Sequence, residues 1–380
     1  MDPKTFRQRL EAWLDTNAGE LTPPREGPES MDAQMAHYFR VKRALHDAGF
    51  GRYGWPESVG GLGGSPLLRA IVGEEINLRN LADPNAWTMI EVLAPTVIDF
   101  APTELAASVV PPFLRGEEMW CQGFSEPDAG SDLAALSCRA TRTRGGWVVT
   151  GQKVWTSFIQ YSRRCVLLTR TGEPGSAHRG ITALLVDVDS PGLSYSPIQT
   201  MHGKLDFAEV HFHDVFVPEE RLIGEENGGW RVAMDILPYE RSTTFWHRGA
   251  LLHRRCSDLV ARVAASGDRS DTTAAALGRA FQSIVAFRSR SCDTQHRLAS
   301  GEQLGVETSI DKLLIASAEQ QLFETARDLL PGVIEFDDDL PAARWRTDYL
   351  YSKAATIYGG TAEIQHNIIA RRLLDLGPES

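Results

Sequence analysis

The feature that most constrains this chain is a block of short β-branched and aromatic runs set between two long stretches of helical periodicity. From about Met119 to Gly224 the pattern is that of strands, as in Gly146-Trp147-Val148-Val149-Thr150, Val166-Leu167-Leu168-Thr169 and Ile181 to Val188. Before it, apolar residues recur at helical spacing, broken at Leu21 to Pro28 and Gly51 to Gly64. After Asn227-Gly228-Gly229-Trp230 the helical spacing returns and runs to Leu376, with turn signals at Ser266 to Ser270, Ser300 to Gly305 and Pro331 to Pro341. The order helix, strand, helix predicts an α+β multi-domain protein with an α-helical domain over residues 1–118, a β domain over 119–225 and a second helical domain over 226–380. Within the last block, Pro238 falls inside the first helix and should kink it just before Glu240.

A chain of 380 residues outgrows a single hydrophobic core, so several packed domains and room for a large cofactor are expected. With 39 Lys and Arg against 50 Asp and Glu and no long basic run, nucleic acid is not an expected partner. The start, Met1-Asp2-Pro3-Lys4 leading into Phe6, Leu10, Trp13 and Leu14, reads as an amphipathic helix rather than a targeting leader. No apolar stretch reaches spanning length, so no membrane partner is expected. The five cysteines, Cys121, Cys138, Cys165, Cys256 and Cys292, are odd in number and never paired as Cys-x-x-Cys, which points to a reduced, cytoplasmic protein. His211 and His213 could share a strand face, yet no third ligand is placed beside them, and no metal is expected.

No Gly-x-Gly-x-x-Gly follows a strand and opens a helix, and Gly146 to Lys153 lacks the ending of a phosphate-binding loop. A Rossmann site and an NTPase are therefore disfavoured. The stretch Trp120-Cys121-Gln122-Gly123-Phe124-Ser125-Glu126-Pro127-Asp128-Ala129-Gly130-Ser131-Asp132 offers glycine, serine and turn N–H groups that can cradle a diphosphate. Its Ser125-Glu126-Pro127-x-x-Gly130-Ser131-Asp132 portion resembles the flavin-binding signature of the acyl-CoA dehydrogenases. Further blocks agree in order: Gly54-Trp55-Pro56 with Gly60-Gly61-Leu62-Gly63-Gly64, Gly151-Gln152-Lys153-Val154-Trp155-Thr156-Ser157, the strands from Glu209 to Pro218, and Ile357-Tyr358-Gly359-Gly360-Thr361-Ala362-Glu363-Ile364-Gln365.

The resemblance implies an N-terminal α-helical domain, a middle β-barrel or sandwich domain and a C-terminal four-helix bundle, with FAD as cofactor. It places Phe124 and Ser125 against the isoalloxazine, Gly130 and Ser131 near the diphosphate, and Trp155 and Ser157 over the flavin edge. By residue type alone Trp155 would be a core aromatic. Thr361 and Glu363 match positions that touch FAD; read alone, they are the N-cap and first-turn acid of a helix.

Desaturating an acyl thioester removes an α-proton as hydride leaves Cβ for flavin N5, so a base must face the flavin across the substrate. A glutamate in an apolar pocket has its pKa raised, which suits the task. Gly359 stands where many members carry that glutamate; the glycine keeps only the backbone N–H that donates to the thioester oxygen. Some members place the base on the first helix of the C-terminal domain, at the position of Glu240. By the same carry-over Arg241 contacts the CoA portion. Read without the family, Glu240 and Arg241 are a charged pair on a helix surface.

The expected activity is FAD-dependent α,β-desaturation of an acyl-CoA or acyl-carrier-protein thioester, with an electron-transfer flavoprotein as acceptor. The expected assembly is a homotetramer or homodimer, or a heterotetramer. Two alternatives stand beside it: a flavin monooxygenase or oxidase on the same fold, and a non-catalytic subunit of a heteromeric dehydrogenase. The second draws on a departure, since Arg297 to Gly305 and Leu330 to Ile334 stand where members carry Arg-x-x-Phe-Gly and Gly-Gly-x-Gly motifs that complete a neighbour's flavin site. The stretch Met201 to Phe207 also lacks an arginine common in the family.

Overall fold

The computed structural model describes residues 1–23, 30–173, 175–336 and 340–377. Parts of the expected breaks at Leu21 to Pro28 and Pro331 to Pro341 lie outside the described residues. The first block is helical: α1 (Pro3–Thr16), α2 (Ala18–Leu21), α3 (Met31–Asp47), α4 (Leu67–Arg79), α5 (Pro84–Phe100) and α6 (Thr103–Leu114). Polar caps start several of them. Asp2, Ser30 and Asp83 each accept a first-turn backbone N–H of α1, α3 and α5, which satisfies donors that a helix start leaves free.

The middle block holds β1 (Trp120–Gly123), β2 (Arg139–Thr143), β3 (Gly146–Ser157), β4 (Arg164–Arg170), β5 (Ile181–Asp187), β6 (Leu193–Ile198), β7 (Phe207–Pro218) and β8 (Leu222–Ile223). They form one sheet in the order β6-β7-β3-β2-β4-β5-β8, with β1 joined to β4 in parallel. No pairing joins β6 to β8 among the described residues, so the sheet is a sandwich folded over its own core and not a closed barrel. Trp147 and Val149 of β3 and Val210 and Phe212 of β7 meet Cys165 and Leu167 of β4 and Leu184 and Val186 of β5 inside it. β7 alternates buried and outward residues along its length, whereas β4 and β5, the apolar runs of the sequence, are buried almost throughout.

The last block contains α7 (Gly229–Tyr239), a π-helical turn over Glu240–Thr244, α8 (Phe245–Ser266), α9 (Asp271–Ala299), α10 (Thr308–Leu329), α11 (Val333–Phe336), α12 (Leu340–Ser352) and α13 (Ala362–Ile368). A four-helix bundle of α8, α9, α10 and α12 closes around Leu252, Leu259, Ile284, Phe287, Leu322, Phe323 and Trp345. Gly267, in the left-handed conformation at φ 83°, ends α8.

Candidate active site

Pro238 brings no backbone N–H to α7, so the carbonyl four residues earlier loses its usual partner, and the helix widens into a π turn at the next residues, Glu240 to Thr244. The expected disturbance before Glu240 is therefore present as a change of helical pitch. Across from it the chain leaves a short 3-10 turn at Lys353–Thr356 and passes through Gly359 and Gly360, at φ 63° and 88°. Arg241 is buried and its Nε donates to the Gly359 carbonyl at 3.3 Å. The N–H of Gly359 makes no hydrogen bond among the described residues.

A Cβ added to Gly359 would lie 2.9 Å from Oε1 of Glu240. The Glu240 carboxylate therefore reaches the space beside position 359. It makes no hydrogen bond of its own among the described residues, and burial pushes its pKa up, against the pull of Arg241 and Lys312. Lys312, fully buried on α10, donates to the carbonyl of Ala355 and lies 4.0 Å from the centroid of the Tyr358 ring. Burial brings its pKa down to about 8, with Glu240 and Glu319 acting in the opposite sense. Sequence reasoning assigned Lys312 no part, because its neighbours in the chain carry no motif.

The flavin-signature residues gather on the middle sheet. Val154 N–H donates to the Ser125 carbonyl at 2.9 Å, which lays the loop after β1 beside β3. Within that loop, Glu126 and Ala129 exchange two backbone hydrogen bonds and turn the chain. Beneath it, buried Lys153 donates to Glu126 at 2.7 Å and to the Phe124 carbonyl at 2.9 Å. Ser137 N–H and Oγ and Cys138 N–H donate to the same carboxylate, at 2.6, 2.8 and 2.9 Å. Burial alone would raise the pKa of Glu126, yet Lys153 and these donors hold it below the usual carboxylate value.

Phe124 is buried, Ser125 and Ser157 are half-buried, and Gly130 and Ser131 are exposed on the turn. Between Lys153 and Thr156 the register of β3 against β7 shifts, and Trp155 there adopts φ 60°. Its indole is 56% exposed, with an edge-on contact to Phe207 at 5.9 Å, so it is not the core aromatic that residue type alone suggests. Thr156 Oγ1 and Gln122 Oε1 are buried without partners among the described residues. Thr361 caps α13 through the Ile364 N–H, and Glu363 is exposed in its first turn. Gln365, fully buried next to Gly360, leaves both side-chain amide atoms unpaired among the described residues.

The loop 200–206 ties these parts together. Lys204 pairs with Asp83, the cap of α5, at 3.1 Å, and the ring of His202 lies 5.7 Å from Tyr351 of α12. Tyr351 in turn meets Tyr358, next to Gly359, at 5.9 Å. A bared indole, a glycine turn with open space above Gly130 and buried polar atoms lacking partners are what a flat aromatic cofactor with a diphosphate would cover and satisfy. The residues present fit FAD.

Three family models match in order: the acyl-CoA dehydrogenase N-terminal domain over residues 5–117, middle domain over 121–215 and C-terminal domain over 227–374. The acyl-CoA dehydrogenase IpdE1 of Mycobacterium tuberculosis is 36% identical over 390 aligned residues, covering 100% of this chain and 99% of that protein. Among solved structures, the Tcur3481-Tcur3483 steroid ACAD superposes with TM-score 0.85 at 25% identity, covering 100% of each chain. The ChsE4-ChsE5 complex from Mycobacterium tuberculosis superposes with TM-score 0.84 at 26% identity, covering 99% of this chain and 98% of that one.

Proposed function

This chain belongs to the acyl-CoA dehydrogenase family, and on that premise we propose that Glu240 is the base with which it takes the α-proton of its substrate. Family membership makes it an FAD-dependent oxidoreductase acting on an acyl thioester. One observation carries the assignment of the base: the Glu240 carboxylate lies 2.9 Å from where a side chain on Gly359 would begin. It reaches the position vacated by the family's usual glutamate from the opposite wall.

When bound, FAD supplies the hydride acceptor. Phe124, Ser125, Trp155 and Ser157 would hold its ring system, Gly130 and Ser131 its diphosphate, and Thr361 and Glu363 the end next to α13. The protein's own chemistry is then proton removal and charge stabilisation. Burial, with no hydrogen bond to its ionised form among the described residues, makes the Glu240 carboxylate more basic than one in water. The free N–H of Gly359 is placed to donate to the thioester oxygen as negative charge develops there. Arg241 holds the Gly359 carbonyl, which fixes the peptide unit that follows the donating one, and keeps further guanidinium N–H groups for the CoA portion.

Anaerobic mixing with acyl-CoA tests this reading by the loss of flavin absorbance. Glu240→Gln should slow it by about 10²–10⁴-fold; an unchanged rate would remove Glu240 from the reaction.

We further propose an electron-transfer flavoprotein as the acceptor, a cytoplasmic location and assembly with a second subunit of the same fold, as homodimer, homotetramer or heterotetramer. Among the described residues no helix is long and apolar enough to cross a membrane, and Val260, Phe281 and Val285 leave an apolar face on α8 and α9. Both solved relatives, the Tcur3481-Tcur3483 steroid ACAD and the ChsE4-ChsE5 complex, are named for two components, which favours the heteromeric form. Light scattering with flavin stoichiometry on the chain alone tests it: a full complement of FAD in a homo-oligomer would exclude the need for a different partner.

A further inference from the structure

Away from the base, the N-terminal helical block encloses a second set of charged groups. Lys42 of α3, Arg69 of α4 and Glu91 of α5 line a cavity of about 30 Å3, together with Tyr53, Trp55 and Trp87. The three charged residues are 6%, 9% and 5% exposed. Lys42 Nζ, Arg69 Nε and Glu91 Oε2 all lack a hydrogen-bond partner among the described residues. Arg69 Nε and Glu91 Oε2 are 3.6 Å apart, beyond hydrogen-bond reach. The Lys42 ammonium is instead surrounded by rings, with centroids at 4.9 Å for Phe113, 5.8 Å for Trp87 and 5.9 Å for Tyr38. The guanidinium of Arg69 lies 4.0 Å over Trp55.

Two cations against one carboxylate leave the cluster an anion short when Lys42 is protonated. Buried charges are ordinarily paired and hydrogen-bonded, and unpaired ones are strongly disfavoured. The free donors lie on two residues, Lys42 and Arg69, and what completes them is an acceptor with negative charge. A cavity of this size admits a water or two, or one carboxylate. The helix that carries Glu91, α5, also reaches the reaction centre. Arg69 acts on Asp99 near the end of α5, and Asp99 faces the hydroxyl of Tyr239, the residue before Glu240. Along the same helix Thr96 donates to Asp235 of α7 at 2.7 Å, and α5 packs against both α7 and the π turn.

We propose that the Lys42–Arg69–Glu91 cavity is the remote end of the acyl site and receives a carboxylate, so that the preferred substrate is an acyl thioester with a second carboxylate far from the sulfur. This rests on the dehydrogenase reading above. Lys42 and Arg69 bind the carboxylate oxygens, and Glu91 keeps the two cations apart and sets the distance between them. Burial lowers the pKa of Lys42 while Glu91 opposes that shift, so an arriving anion also favours its protonated form.

The test uses the FAD-loaded protein and pairs of CoA thioesters of equal chain length, one ending in methyl and one in carboxylate, across a range of lengths. Anaerobic loss of flavin absorbance gives kcat/KM, and calorimetry gives Kd for the corresponding 2-enoyl-CoA products. The expected result is a preference for the carboxylate member of at least about tenfold at one length, because charge-assisted hydrogen bonds would be gained. Lys42→Met should reduce that preference about tenfold, in KM and Kd rather than kcat. Glu91→Gln, which removes the competing anion, should increase it, a gain that misfolding cannot imitate. No preference at any length, or variants that shift both members of each pair equally, would overturn the proposal. Absence of flavin bleaching by every thioester, or undiminished bleaching in Glu240→Gln, would instead sink the dehydrogenase reading with its base.

Discussion

Two glutamates, each beside a buried lysine, have opposite fates in this molecule. Glu126 in the middle sheet receives Lys153, Ser137 twice and Cys138, and its pKa is held down. Glu240 in the π turn before α8 has Arg241 and Lys312 near it but no hydrogen bond among the described residues, and its pKa is pushed up. Burial is common to both. What separates them is the number of donors committed to the ionised form: a fully solvated-by-protein carboxylate becomes a fastener, and an under-donated one keeps an appetite for a proton.

The comparison breaks first at Glu240→Gln. The rate of flavin bleaching should fall about 10²–10⁴-fold, while thermal stability at neutral pH should hold or rise. The sign follows from linkage: a carboxyl whose folded pKa is raised adds stability that is complete below its unfolded pKa and lost as pH rises through the folded one. The pH profile of kcat/KM should accordingly rise through an apparent pKa above that of an ordinary glutamate; a limb at the ordinary value would show that Glu240 is not the titrating base. Lys153→Met should act on stability instead. It strands Glu126 without its cation and should cost about 3–5 kcal/mol in denaturant unfolding; a loss under 1 kcal/mol would mean that the backbone donors suffice.

Gly359→Glu sharpens the contrast by adding a second carboxylate against the first, at a residue with φ 63°. Activity at neutral pH should drop about tenfold and the limb should move to higher pH, because like charges this close resist joint ionisation. An activity gain would show that the two sites do not compete for one position. The smallest effect is expected for Thr361→Ala, which removes the cap of α13 and should cost about 1 kcal/mol by thermal denaturation.

Much of the architecture was legible because periodicity is a local property. The change from helical spacing to β-branched and aromatic runs near Met119 marks the sheet, and Thr361 is readable as the N-cap of α13. Glu240, Arg241 and Gly359 were likewise within reach of motif reasoning, and the structure brings them into contact. The remainder depends on groups distant in sequence. Lys312 is 43 residues from the carbonyl it binds, and Lys42, Arg69 and Glu91 each look like an ordinary charge on an amphipathic helix, since charged side chains are seldom fully buried. Trp155 shows the other side of this: residue type alone suggests a core aromatic, whereas beside the register shift in β3 the side chain is exposed. The π turn was signalled by Pro238 as a disturbance, but the kind of disturbance is set by packing.

That π turn also lets one rod serve two clients. On α7, Val232, Ala233 and Ile236 belong to the core shared with the N-terminal helices, whereas on α8, Phe245, Leu252, Cys256 and Leu259 belong to the C-terminal bundle. Each residue advances an α-helix by roughly 100°, so a single extra residue in the turn resets the azimuth at which the apolar stripe emerges. It works as a phase shifter between two cores. Deleting one residue from Glu240–Thr244 would bring the stripes back into phase and leave one of the two cores facing a polar surface, whatever became of the carboxylate.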